Sequence, residues 1–181
     1  MNYRDVTIAR SLKIEGWMSE SELGWIYDCA HSLPAMGKWV EVGVYAGRSF
    51  LTVLSALPKT ASGYAVDNFS GVAGSLKGFD LRATFISNLN RIGLKNFCLL
   101  FDDSVAVAKT MPLASFDVVF IDAGHGKESV RADVLAWMPV LKPGGLLCGH
   151  DRSDRGVKQV LQEILLDYQK EVGDLWSYVV K

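Results

Sequence analysis

Residues 38–49 read KWVEVGVYAGRS, and the fold turns on them. Residues 38–44 are largely apolar and read as a buried strand, residues 47–57 read as a helix, and Gly43 and Gly47 sit at the turn between them. Glycine lets such a turn close tightly and lets a ligand approach the backbone. The helix that follows aims its first N–H groups at whatever lies above the turn. The spacing is G-x-x-x-G, not the G-x-G-x-x-G of dinucleotide sites, and alone it is equally compatible with a plain tight turn.

Outward from this unit the pattern repeats. Upstream, residues 20–33 place Leu23, Ile26, Tyr27, Ala30 and Leu33 at helical spacing, with Ser19 or Ser21 as a cap and Pro34 and Gly37 as the stop. Downstream, apolar runs at 63–66, 96–101, 116–121, 146–149 and 175–180 read as strands, and 80–92, 104–111, 127–141 and 156–171 read as helices. Pro143-Gly144-Gly145 is expected to stop the third of these helices. Strands alternating with helices imply an α/β fold: a Rossmann-like doubly wound sheet of six or seven strands, mostly parallel, with helices on both faces. After 156–171 there is room for only one strand, so either the sixth or the seventh of the usual set is expected to be missing.

One domain is expected over residues 1–181, with 1–19 as an N-terminal extension. Its Tyr3, Leu12, Ile14, Trp17 and Met18 could cover a pocket, meet another subunit or fill a core. Residues 68–79, NFSGVAGSLKGF, read either as a lid or as a plain exposed connection. The net charge of -1 gives no electrostatic reason to expect nucleic acid or an anionic membrane as partner. Cys29, Cys98 and Cys148 are odd in number and far apart, which suggests neither a disulfide framework nor a C-x-x-C metal site, and Cys98 and Cys148 read as core. With no signal-like N-terminus and no apolar run of about 20 residues, the expected location is cytoplasmic.

In such sheets ligands bind at the carboxyl ends of the strands. Asp67, Asp103, Asp122, His150 and Asp151 all fall there. Asp67 lies 24 positions after Gly43, where a carboxylate can hold both hydroxyls of a ribose. Glu41, just before the glycine turn, would oppose a pyrophosphate but suits a cationic ligand.

Residues 41–49 resemble motif I of class I S-adenosylmethionine-dependent methyltransferases. The segment 117–151, DVVFIDAGHGKESVRADVLAWMPVLKPGGLLCGHD, resembles one branch more closely: the small-molecule O-methyltransferases that include the macrolide-sugar enzymes and the cephalosporin hydroxylase-like proteins. The resemblance runs from about residue 20 to 160. It implies that Glu41, Gly43 and Gly47 line the methionine end of S-adenosylmethionine, that Ser49 binds its carboxylate, and that Asp67 holds the ribose. It puts Asp103 and Ser104 at the adenine and Asp122 beside the transferred methyl group.

The same resemblance implies a divalent cation, usually Mg²⁺, at Asp122, His150 and Asp151. His150 stands where relatives often carry an acid, and imidazole suits softer metals. Asp151 could instead cap the next helix or pair with Arg152 or Arg155. His125, in D-x-x-H with Asp122, matches the position of a general base, the group that takes the acceptor's proton near neutral pH. The expectation is therefore O-methylation of a small hydroxylated molecule, with Asp122 and His125 as catalytic residues. The partner is a small-molecule substrate, with neither nucleic acid nor membrane, and a homo-oligomer is left open. A catalytically inactive methyltransferase-like binding or assembly module is the alternative. A nicotinamide oxidoreductase lacks its glycine motif here.

Overall fold

The computed structural model describes residues 2–70, 80–91, 93 and 96–181. Residues 71–79, most of the expected lid, lie outside the described residues. The strands are β1 (Lys38–Val42), β2 (Ser62–Val66), β3 (Phe97–Leu100), β4 (Phe116–Ile121), β5 (Leu141–Gly149), β6 (Gln169–Lys170) and β7 (Trp176–Val179). They form one seven-stranded sheet in the order β3-β2-β1-β4-β5-β7-β6. The first five are parallel, while β7 runs antiparallel between β5 and β6. The helices are α1 (Tyr3–Ser11), α2 (Glu20–His31), α3 (Arg48–Ala56), α4 (Leu81–Asn90), α5 (Ser104–Ala108), α6 (Lys127–Trp137) and α7 (Arg155–Ile164).

The central strands are apolar on both faces because both are covered. On one face Val40, Val42, Val119, Ile121 and Leu147 pack against Val107 of α5, Val130 and Val134 of α6, and Val157, Val160 and Leu161 of α7. On the other, Trp39, Val118, Phe120 and Cys148 pack against Ile8 of α1, Leu23 and Ile26 of α2, and Val53 of α3. The residues that alternate along one strand thus divide between two cores, as the two-residue period of a strand requires.

Three sequence expectations need correction. No strand is missing: the helix expected over 156–171 ends at Ile164, and Gln169 and Lys170 pair with Ser177 and Trp176. Both β6 residues are exposed, so no buried periodicity marks the strand, and only tertiary pairing creates it. The helix expected over 127–141 ends at Trp137, a 3-10 turn covers Met138–Val140, and β5 begins at Leu141. Pro143-Gly144-Gly145 is absorbed inside the strand, where the β4–β5 register shifts between Phe116 and Val118. Cys98, read as core, is exposed on edge strand β3, whereas Cys148 is buried.

Residues 1–19 contain a helix of their own. In α1, Thr7, Ile8 and Ser11 are buried, Asn2 caps the start by accepting from the Asp5 amide, and Arg4 donates twice to Asp28 of α2 at 2.7 Å. The chain then crosses toward α3, where Arg48 donates to the carbonyls of Ile14 and Met18.

Candidate active site

The strand ends are stacked by backbone hydrogen bonds that extend the ladder. The amide of Gly43 donates to Val66, Asp67 to Leu100, Asp122 to Val42 and His150 to Ile121. Four of the expected site positions are thereby set side by side along one edge of the sheet. Above them opens a cavity of about 810 Å³, within the range of roughly 300–1,000 Å³ usual for small-molecule sites. Among the described residues its wall carries seven carboxylates and a single lysine or arginine, Arg48. Tyr45, Phe69 and Asp151, all in the wall, have φ of 47°, 53° and 56°. That conformation is rare for bulky side chains, and such strain gathers at functional sites.

The expected cofactor residues have the following partners. Glu41 is fully buried, and its Oε1 accepts a 2.5 Å hydrogen bond from the Ser49 hydroxyl. Its Oε2 has no partner among the described residues. Burial pushes the Glu41 carboxyl well above its usual range against the opposing Ser49 bond, and the negative charges of Asp122 and Asp67 push the same way. Asp67 accepts from the amides of Val44 and Tyr45 at 2.9 and 3.1 Å and from Phe69 at 2.7 Å, which ties the glycine turn to the end of β2. Gly43 and Gly47 both hold positive φ, 85° and 94°. Asp103 caps α5 by accepting from Ala106, and the Ser104 hydroxyl donates to Asp133 of α6. Asp133 is buried, lines the cavity and had no marker in the sequence.

Glu41 gives a stability prediction. Its carboxyl is raised in the folded state, so its contribution is complete below the ordinary carboxyl pKa and is lost as pH rises toward the folded value. Urea unfolding of Glu41→Gln in the absence of ligand should show the variant gaining on the wild type between pH 5 and pH 8. A stability difference independent of pH over that window would contradict the burial of an acid here.

The metal-capable group differs from the one expected. Asp122, His125 and Asp151 each offer a ligand atom, all within 4.8 Å of one another. His125 Nε2 lies 2.8 Å from Asp151 Oδ2. His150 stands behind them: Nε2 is 3.1 Å from Glu22 Oε1, and Nδ1 is 3.3 Å from Asp151 Oδ1 and 3.8 Å from Asp122 Oδ1. Burial opposes its charge, but the hydrogen bond to Asp151 and the charges of Asp122, Asp151 and Glu22 prevail and lift its pKa to about 9. Its two ring nitrogens face Glu22 and Asp151, so it stands outside the group whose ligand atoms lie together. Asp122 is lifted to about 8 by burial, with His150 opposing and Asp151 adding to the rise, while Asp151 is lowered, chiefly by its bond to His150 against its own burial.

Asp151 does not take either of its structural alternatives. Asp154 caps α7, and Arg152 donates to Leu175 and Gly173 and pairs with Asp174. The loop carrying His125 is held by close packing, because a Cβ on Gly156 at the start of α7 would overlap the His125 carbonyl.

Comparison with known proteins agrees with this architecture. The model of a family described as a methyltransferase domain matches residues 40–152. The fold is similar to a putative O-methyltransferase from Klebsiella pneumoniae, with TM-score 0.74, 15% identity, and 100% of this chain and 91% of that one covered. It is similar to the O-methyltransferase TomG from Streptomyces achromogenes, involved in tomaymycin synthesis and solved with SAM, with TM-score 0.73, 15% identity, and 100% and 91% covered. It is also similar to a putative rRNA-methylase from Clostridium thermocellum, with TM-score 0.66, 14% identity, and 87% and 97% covered. At these identities the likeness is one of fold. No curated protein matches the sequence. No helix among the described residues is long and apolar enough to cross a membrane.

Proposed function

The chain belongs to the methyltransferase domain family, and from that membership we propose that it moves a methyl group from S-adenosylmethionine to an oxygen of a small hydroxylated molecule. The reading is carried by one observation: Asp122, His125 and Asp151 converge in the wall of an acidic cavity at the strand ends.

The residues present fit the cofactor. A cationic ammonium and sulfonium suit a wall of carboxylates; Glu41 is buried outside that lining, and its Oε2 has no partner among the described residues. Gly47, the N-cap of α3, supplies no side-chain cap, so the first amides of that helix are available to the methionine carboxylate. Ser49 is committed to Glu41 and would support that acid rather than meet the carboxylate directly. Asp67 shapes the glycine turn with three of its acceptor sites and keeps one, on Oδ1, for a ribose hydroxyl. Asp133, held by Ser104, joins Asp103 as an acid facing the adenine end.

S-adenosylmethionine supplies the methyl group as an electrophile on sulfur. A divalent cation held by Asp122, His125 and Asp151 would lower the pKa of a bound hydroxyl. His125 and the two carboxylates hold the acceptor oxygen in line with the methyl group, and positioning is the larger share of the gain. With no metal bound, His125 can itself take the acceptor's proton on Nδ1, and the Asp151 carboxylate, 2.8 Å from Nε2, stabilises the imidazolium that forms. The acidic wall disfavours phosphate-rich acceptors, which supports a small neutral or cationic acceptor over nucleic acid.

Calorimetric titration with S-adenosylmethionine and S-adenosylhomocysteine, with and without Mg²⁺, tests the reading before any acceptor is known. Both ligands should bind, and Mg²⁺ should bind the wild type but not a variant lacking Asp151. Failure of both adenosyl ligands to bind would remove the proposal.

A further inference from the structure

Glu22 lies 128 residues from His150 in sequence, yet its carboxylate reaches the back of the site. Its Oε2 accepts from the Ser19 amide and hydroxyl, both at 2.7 Å, which completes a capping box at the start of α2. A cap requires no more than that. Oε1, however, turns the other way and accepts from the Asp174 amide at 2.8 Å, while lying 3.1 Å from His150 Nε2. The side chain is 8% exposed, so four hydrogen-bonding groups from three parts of the chain meet on one buried acid. The β6–β7 hairpin is shaped around it. Gly173, with φ of 61°, has no room for a Cβ, which would overlap Glu22 Oε1 and lie 2.8 Å from its Cγ. The His150 carbonyl is fixed as well, by the Trp176 indole N–H at 3.1 Å.

We propose that Glu22 is a positioning residue: it orients the His150 imidazole so that Nδ1–H faces Asp151 and Asp122 and sets the direction of those two carboxylates. The logic is that of an outer-shell acid on a histidine, one step further out, because His150 contacts the cluster without joining it. The inference rests on the proposed metal-assisted transfer only for its functional consequence, since the geometry stands without it. The imidazole lies beside both carboxylates, and Glu22 keeps the ring from rotating.

Long-range proton–nitrogen NMR of the imidazole rings tests this directly, because the chain has three histidines, His31, His125 and His150. In the wild type, His150 should show two slowly exchanging ring N–H signals. Glu22→Gln, which cannot accept from both sides at once, should displace both signals. It should also weaken Mn²⁺ binding at the cluster about tenfold, with S-adenosylhomocysteine affinity unchanged within about twofold. Ser19→Ala removes the cap but leaves Oε1, so it should lower the melting temperature and leave the ring signals in place. A wild-type His150 without a hydrogen-bonded Nε2–H would overturn the proposal without any variant. Unchanged ring signals in Glu22→Gln would overturn it equally. If Mn²⁺ fails to bind the wild type, the metal reading falls, and the ring signals still decide the role of Glu22.

Discussion

Replacing Asp122 with asparagine should lower methyl transfer by about 10³-fold, on whichever acceptor the wild type accepts, with S-adenosylhomocysteine affinity nearly unchanged. Asp122 and Asp151 are the two carboxylates of the cluster, and only Asp122 is continuous with the β4 ladder that fixes the site to the sheet. Asparagine keeps the shape and removes the charge. Electrostatic support of a reacting oxygen by a charged site contributes several kcal/mol, and about 4 kcal/mol corresponds to three orders of magnitude in rate. Stability of the unliganded protein should not fall, because burial already disfavours the Asp122 charge and lifts its pKa to about 8. Single-turnover rates on saturated enzyme separate the chemical step from binding. A variant that turns over like the wild type would place the reacting atoms elsewhere in the cavity.

The second large effect is structural. Gly43→Ala should destabilise the fold by about 3 kcal/mol, from close overlap in a packed region together with a left-handed backbone. Its φ is 85°, and an added Cβ would overlap the Asp122 carbonyl oxygen and lie 2.7 Å from the Ala123 Cα. Backbone on both sides cannot yield as a flexible side chain does. At about 2–4 °C per kcal/mol for a chain of this size, the melting temperature should drop by about 6–12 °C. The same displacement would move Asp122, so affinity for the adenosyl ligands should fall with stability. A melting temperature within a degree of the wild type would show that the β1 turn and the end of β4 are less tightly locked than the distances imply.

The sheet was legible because its strands are buried on both faces, and an apolar run followed by an acid marks both a strand and its end. Asp67, Asp122 and Asp151 were found in this way, and all three line the cavity. The roles of the histidines were not legible. His150 adjoins Asp151 and His125 lies three residues after Asp122, but which ring turns toward the acids and which stands behind them depends on Glu22, 128 residues from His150. Ser19 was readable as a cap, with Ser21 as the alternative, but Glu22, which completes the capping box, was not singled out, and a helix-start signal carries no hint of a second face. Ser49 shows a similar limit: its place at the start of α3 was readable, while its bond to Glu41 depends on burial of an acid that sequence marks only as an interruption in an apolar strand. Strand β6 left no trace, because two exposed polar residues have no periodicity to read.

The pairing of β7 with β5 has a consequence for how the protein is made. Every member of the acid–histidine cluster has been translated once residue 151 is joined, but the open edge of β5 is paired only by Trp176–Val179. The indole that fixes the His150 carbonyl belongs to that stretch, and the hairpin amide that holds Glu22, from Asp174, arrives just before it. A nascent chain would therefore carry the groups of the cluster for some 25 residues of synthesis without the scaffold that aims them. Competence for transfer should appear abruptly, once β7 has emerged and paired, and not grow as the earlier strands are laid down.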